Sequence, residues 1–426
     1  MECLPQRDVF LLGCLQKLQK SMVKDIKAFI GRFYNIVGWP AIAFAVIVCG
    51  KVLGFGSQIF YPLYYVALLF AVIYNLRHGL KFDFLFIAFL LSILLSILLN
   101  DIRPVFNVWD RFLFFIFLSL AVSSLINNEN AIEFRLKAIV AILVFCTLIS
   151  VVSFGCYFLG INLVKNLFGH GYLDYVTNTA GTFGGITSHS MLLGPISGFA
   201  ALFCLYLALR YNRMFYFLVV ACLGSLLFSA SRSSVLATIA GICILLLFYN
   251  HNIGKNTKRI IVILFAAMIA YPVWSPALKG INAKNQGEIT SGIDISSRAS
   301  KWEIRLQEWE ESPLYGIGFC SVSETDDVSY GGKIEPGSSW LAVLSMTGAL
   351  GLILFTTLYL KGLKHSLMQY CPEGSLLGGL LTLCGVHMAA EGHIFSAGSF
   401  LCLFFWLTLA CASEFDETNM FVFENE

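Results

Sequence analysis

Charge is scarce in this chain. Only 13% of its 426 residues are Asp, Glu, Lys or Arg, against 58% hydrophobic, and a soluble domain with that balance cannot cover its surface. No long basic stripe exists, and a net charge of +2 gives no signal for nucleic acid. The 13 cysteines form no CxxC pair, which excludes a zinc spacing and a disulfide framework. Most of them (Cys49, Cys146, Cys204, Cys222, Cys243, Cys384, Cys402, Cys411) lie inside apolar blocks as small hydrophobes. Internal repeats and low-complexity tracts are absent. The N-terminus lacks the continuous apolar run of a cleavable signal peptide. Its apolar residues are spaced instead, at Leu11, Leu15, Leu18, Met22, Ile26, Phe29 and Phe33, with Lys17, Lys20, Lys24, Lys27 and Arg32 between them. That pattern predicts a basic amphipathic helix over 1–35, lying on the anionic cytoplasmic leaflet, with a partly disordered tail as the plainer alternative.

What the chain has in abundance is long apolar blocks, of the ~18 residues that read as bilayer spans. They fall at roughly 36–53, 58–75, 83–100, 111–126, 136–160, 189–209, 214–231, 233–249, 260–276, 338–360, 374–390 and 397–412. The fold expected is therefore all-α, a polytopic integral membrane protein of about twelve helices over 36–412, with a short tail at 413–426. Alternate connections carry Arg77 and Lys81, Arg135 and Lys137, Arg210 and Arg213, Lys255, Lys258 and Arg259, then Lys361 and Lys364. Positive charge marks the cytoplasmic side, so both termini are expected inside. The connections at 101–110, 161–188, 277–337 and 391–396 then face outward. The largest, 277–337, opens polar and closes on a short amphipathic helix, about Ser297–Glu311, stopped by Pro313.

Four clusters of chemically able residues fall on that outer side. The first is Phe228-Ser-Ala-Ser-Arg232-Ser-Ser234, a tight turn between two clean apolar blocks. Its arginine can snorkel to lipid phosphate or offer a planar fork to a ligand phosphate. In the second, Arg298, Lys301 and Arg305 share one helical face, with Trp302 and Trp309 on a neighbouring one, ahead of Ser312-Pro-Leu-Tyr-Gly-Ile-Gly-Phe319. This suits either a phosphate-sugar ligand or an interfacial helix anchored by tryptophan. The third runs from Glu335 through Ser338, a helix cap, and Trp340 to Gly348 and Gly351; Glu335 is either a solvated carboxylate or a base. The fourth is His387-Met-Ala-Ala-Glu391-Gly-His393, closing at Gly398. HxxxExH lacks the i,i+4 histidine pair with a closing ligand of helical zinc sites, so no metal is read, and a hydrogen-bonded His387 is expected. A glycine-rich approach from Thr179 to Ser190 sets His189 at the membrane surface, and Arg103 adds one more outer charge.

Taken in order, these clusters resemble the O-antigen ligase/polymerase family, which comprises Wzy-type polymerases and lipid A-core ligases. The resemblance covers roughly 180–412. It rests on an Arg at a span end, R-x3-W at Arg298–Trp302, S-P-L-Y-G-I-G-F, a helix with a glycine about ten residues in, and E-x6-G at Glu391–Gly398. It implies a metal-independent inverting glycosyltransferase of the bacterial inner membrane, without cofactor, taking glycan from undecaprenyl diphosphate at the periplasmic face. A chain-length regulator is an expected partner beside the lipid bilayer. By the resemblance, Arg232 and Arg298 bind diphosphate, and Glu391 matches the acidic residue of the last outer turn. The ligases look to carry a histidine where the helix resumes after the large loop. Here that stretch reads Pro336-Gly-Ser-Ser-Trp340, which favours a polymerase.

A diphosphate leaving group needs fixed positive charge rather than a glycosidase-type acid. Arg232 and Arg298 are expected to supply it, with Arg305 beside them. The acceptor hydroxyl needs a base, for which Glu335, Glu391 and His189 are candidates. Trp302 and Trp340 are expected to stack on sugar faces. The rival readings are a ligase delivering glycan to lipid A-core and a lipid-linked-sugar transporter; the latter fits poorly with spans nearly free of charge.

Overall fold

The computed structural model describes residues 37–54, 57–77, 79–100, 107–163, 183–269, 271, 275–278, 299–321 and 337–416. The expected N-terminal amphipathic helix, Arg103, Arg298 and Glu335 lie outside these residues. Among the described residues no strand forms beyond isolated bridges, and a helix lies over each of the twelve apolar blocks. These helices are α1 (Trp39–Gly50), α2 (Ser57–Leu76), α3 (Phe84–Leu98), α4 (Val108–Val122), α5 (Glu129–Phe158) and α6 (Ser190–Arg210). There follow α7 (Phe215–Phe228), α8 (Arg232–Phe248), α9 (Ile253–Ile269), the amphipathic α10 (Ala299–Glu311), α11 (Ser339–Leu367), α12 (Pro372–Ala390) and α13 (Phe400–Glu414). Four are long and apolar enough to cross a membrane by themselves, at Ile59–Leu76, Glu129–Phe158, Ser190–Arg210 and Ser339–Leu367.

Short polar side chains set several helix starts by accepting an otherwise orphan N–H. Asp83 does so for Leu85, Asn128 for Ala131 and Ser338 for Leu341. Asn128 starts α5 two turns before its apolar block, so Arg135, expected in a connection, is inside the helix and fully buried. Its charge is matched there by Glu414 at 2.5 Å and by the carbonyls of Ser123 and Ile126, as a buried ion requires.

The connections sort into two ends. At the Arg135 end, Asp83 N donates to Leu125 O, Asn127 N to Lys81 O, Lys361 meets Asp83 at 3.0 Å, and Tyr206 donates to Glu373. At the Arg232 end, residues 52–54 bond 186–188 in both directions. There too Phe228 stacks on Tyr157 at 3.6 Å, and Ser339 bonds Glu391. The alternation read from charge is the alternation of the fold.

Two features of the core set the geometry of the Arg232 end. First, α8 packs most extensively on α12. They cross where Gly241 and Gly379 face each other, and a β-carbon on either would lie 2.8–2.9 Å from the other's carbonyl oxygen. Second, α11 is broken at Gly348 (φ 66, ψ −170). The amides of Ala349 and Leu350 abandon the helix ladder and bond Pro313 O and Leu314 O, while Ser345 O accepts from Ile317 N at 2.8 Å. The Pro313–Ile317 segment thus replaces the missing helical bonds, as irregular backbone at membrane depth requires. Both glycines of that joint have positive φ, and a β-carbon would lie 2.3 Å from Leu314 at Gly348 and 2.4 Å from Met346 at Gly316. The S-P-L-Y-G-I-G-F run is therefore a backbone plug for a broken helix, with Phe319 buried against Phe112, Phe115 and Phe395.

Candidate functional site at the Arg232 end

The turn between α7 and α8 is three residues long, and Ala230 within it takes a positive φ of 52° while buried. A non-glycine residue there stores strain. What holds it is packing: Ser231 and Ser234 share a hydroxyl contact of 2.7 Å and lie hard against Gly194 of α6. Arg232 is the first residue of α8 and exposed. Ser231, at the cap position, makes no side-chain cap, so the positive end of the helix dipole is left beside the guanidinium. Two like charges at one place favour an anion there.

Glu391 brings a negative group to the same place. It ends α12 in extended conformation and is half-buried. Its carboxylate faces the hydroxyl of Ser233 at 3.5 Å, a long contact. Its carbonyl accepts from both the amide (3.1 Å) and the hydroxyl (2.7 Å) of Ser339, whose oxygen in turn accepts from His393 N at 3.0 Å. The start of α11 thus clamps the α12–α13 connection and fixes Glu391 beside α8. Ser338 caps α11 as the sequence predicts and also donates to Met388 O.

Behind Glu391 two buried histidines, His387 and His393, stand with ring centroids 5.6 Å apart. His393 is 8% exposed and its Nδ1 has no hydrogen-bond partner. Burial first, then the neighbouring His387, holds its pKa well below the ordinary imidazole value, so the ring is neutral at pH 7. Among the described residues no group of three His, Cys, Asp or Glu is arranged to hold a metal.

The other expected site residues divide. Trp302 of α10 donates to Gly337 O at 3.3 Å and is partly exposed, at the edge of the site. Arg305 is turned inward: it is 2% exposed and paired with the equally buried Glu308 at 2.9 Å. Trp340 bridges α11 to α12 through Gly385 O at 2.9 Å and packs on Phe355 and Tyr359, a core role rather than an open sugar platform. His189 caps α6, its Nδ1 accepting from Met191 N at 3.0 Å, which leaves the proton on Nε2. Ser233, Ser339 and His393 join the site without having been singled out as site residues. The only signals for the serines were the Arg-Ser-Ser and Gly-Ser-Ser runs.

With this geometry in hand, comparison with known families finds a match over part of the chain. Residues 217–356 match the family model described as O-antigen ligase. The matched stretch runs from α7 into the kinked α11, including Arg232, α10, the docked Pro313–Ile317 segment and Ser339, and supports assignment to the O-antigen ligase/polymerase family. No curated protein matches the chain.

Proposed function

We propose that this chain, which carries an O-antigen ligase-type domain, is a surface-polysaccharide polymerase. It joins undecaprenyl-diphosphate-linked repeat units at the periplasmic face of the bacterial inner membrane, both termini lying in the cytoplasm. The observation that carries the reading is the placement of Arg232 at an uncapped helix start, with Ser233 linking that turn to the carboxylate of Glu391. In this reading the diphosphate of the donor rests on Arg232 and the first turn of α8, and Arg298 is assigned a share of it on its sequence match alone. The acceptor hydroxyl loses its proton to a carboxylate, Glu391 being the one fixed beside Arg232. Its oxygen then attacks the anomeric carbon from the face opposite the diphosphate. The anomeric C–O bond breaks, and the electron pair leaves on undecaprenyl diphosphate, where fixed positive charge stabilises it. Among the base candidates, His189 is the poorest fit, because its cap bond occupies Nδ1 and Nε2 carries the proton. Glu335 stays a candidate on its position in the sequence alone.

The nearest alternative is transfer of finished glycan to lipid A-core. The absence of a histidine over Pro336–Trp340 favours the polymerase. A silver-stained lipopolysaccharide gel separates the two. A deletion strain is expected to show core carrying one repeat unit, with the ladder restored by wild type and not by Arg232→Ala. Bare core with long polymer held on the polyprenyl carrier makes the protein a ligase.

A further inference from the structure

A second group of polar side chains stands at the Arg232 end, on the far side of the α12–α13 connection. Lys51 follows the last residue of α1. A lysine at a membrane boundary ordinarily extends toward water. This one turns back instead, with its ammonium 4.0 Å from the ring centroid of Tyr64 and 4.6 Å from that of Tyr61, and it donates to Gly398 O. Tyr64 pins the same connection by donating to Ala397 O at 2.7 Å. One turn apart on α2, Tyr61 and Tyr65 bring their hydroxyls within 3.1 Å of each other, and Tyr61 is 49% exposed. Arg111, exposed in the first turn of α4, lies close enough to act electrostatically on Tyr65. The Tyr65 ring packs on Phe114 of the same helix, 5.3 Å between centroids.

Two cations flanking a hydrogen-bonded pair of tyrosine hydroxyls, one O–H of which is left to donate, make a binding surface for a phosphate, which takes several donors at once. The surface and Arg232 stand at one end of the fold, both tied to the α12–α13 connection. Gly398, which Lys51 holds, lies in the same connection as Glu391. Inward from Tyr61 and Tyr65, α2 leaves Val66 and Phe70 exposed, a flank along which an acyl or polyprenyl chain can lie. We propose that Lys51, Tyr61, Tyr65 and Arg111 form a second anion site, separate from Arg232, that holds the phosphate of a lipid in the outer leaflet. Two substrates anchored in one leaflet must present their phosphates at one end of the fold, where both sites stand. That the lipid is the acceptor's polyprenyl carrier rests on the polymerase reading; the site itself does not.

The test is native mass spectrometry of the full chain in detergent, with undecaprenyl phosphate as probe and phosphatidylglycerol as competitor. Wild type is expected to bind two undecaprenyl phosphates. Arg232→Ala and the Lys51→Met/Arg111→Gln double variant are each expected to bind one, with at least tenfold weaker second binding. Retention by the double variant of both sites at wild-type affinity overturns the proposal, as does a single site in wild type. Tyr61→Phe/Arg111→Gln leaves the Lys51–Gly398 bond in place and gives the same reading if Lys51→Met does not fold. Displacement from this site by excess phosphatidylglycerol identifies a phospholipid ligand, and resistance identifies the polyprenyl carrier. If the double variant loses a lipid while Arg232→Ala still restores the ladder in cells, the polymerase mechanism fails and the second site stands.

Discussion

A cation in the first turn of a helix faces the end of the dipole that repels it. Arg232 keeps that position in a turn strained at Ala230, an arrangement that an anion or a carboxylate beside it stabilises. His393 shows the opposite economy, a neutral ring kept from protonation by burial. Because its folded-state pKa lies below the unfolded value of about 6.5, the unfolded chain takes the proton first as pH falls. Stability is therefore full above about pH 6.5 and declines below it. The melting temperature of the purified protein in detergent is expected to fall between pH 7.5 and 5, and to fall less in His393→Phe; an identical decline in both removes His393 as the cause. Arg232 and Glu391 were legible as candidates because each is a charge stranded between two apolar blocks, and the structure sets both at one end of the fold. The inward packing of Arg305 and Trp340 was not legible, because helical spacing tells which residues share a face, not which face meets a neighbour.

At the scale of elements, the joint between α11 and Pro313–Ile317 explains why the two glycine positions occur together. The sequence shows an unbroken apolar run over 338–360, and nothing in its hydropathy marks the break at Gly348, since the compensating bonds come from a segment outside that run. Gly348→Ala forces a side chain into the positive-φ region and onto the Leu314 carbonyl. It is expected to destabilise by more than about 1 kcal/mol, measured as a lower melting temperature and reduced membrane accumulation. Arg305 and Glu308 give a contrasting case. Removing one partner of a buried pair costs about 3–5 kcal/mol, while an apolar replacement of both is tolerated. Arg305→Met is therefore expected to lower the melting temperature sharply and Arg305→Met/Glu308→Leu to recover it, whereas Arg232→Ala leaves melting unchanged while abolishing the ladder. Equal melting of Arg305→Met and wild type restores Arg305 as a ligand-facing residue.

At the scale of the molecule, each apolar block carries a helix among the described residues because long apolar runs are strong, local signals. The sequence sets the starts of α5 and α9 too late, since their first two to three turns carry Arg135, Lys137, Lys255, Lys258 and Arg259, and polar opening turns hide a helix from a hydropathy reading. The sorting of connections into two ends followed from the alternation of Lys and Arg. Alkaline phosphatase inserted within 164–182 is expected to be active and a green fluorescent protein fused after Glu426 to fluoresce; the reverse pattern inverts the protein and removes the periplasmic reaction. The crossing of α8 and α12 at Gly241 and Gly379 carries a further consequence. The helix that starts at Arg232 and the one that ends at Glu391 meet backbone to backbone, about 14 Å below Arg232 at 1.5 Å per residue. The pair works as a caliper whose pivot has no cushion: a single methyl group at the pivot, deep in the apolar interior, opens the jaws at the surface, so the reach of the chemistry is gauged far from where the chemistry happens.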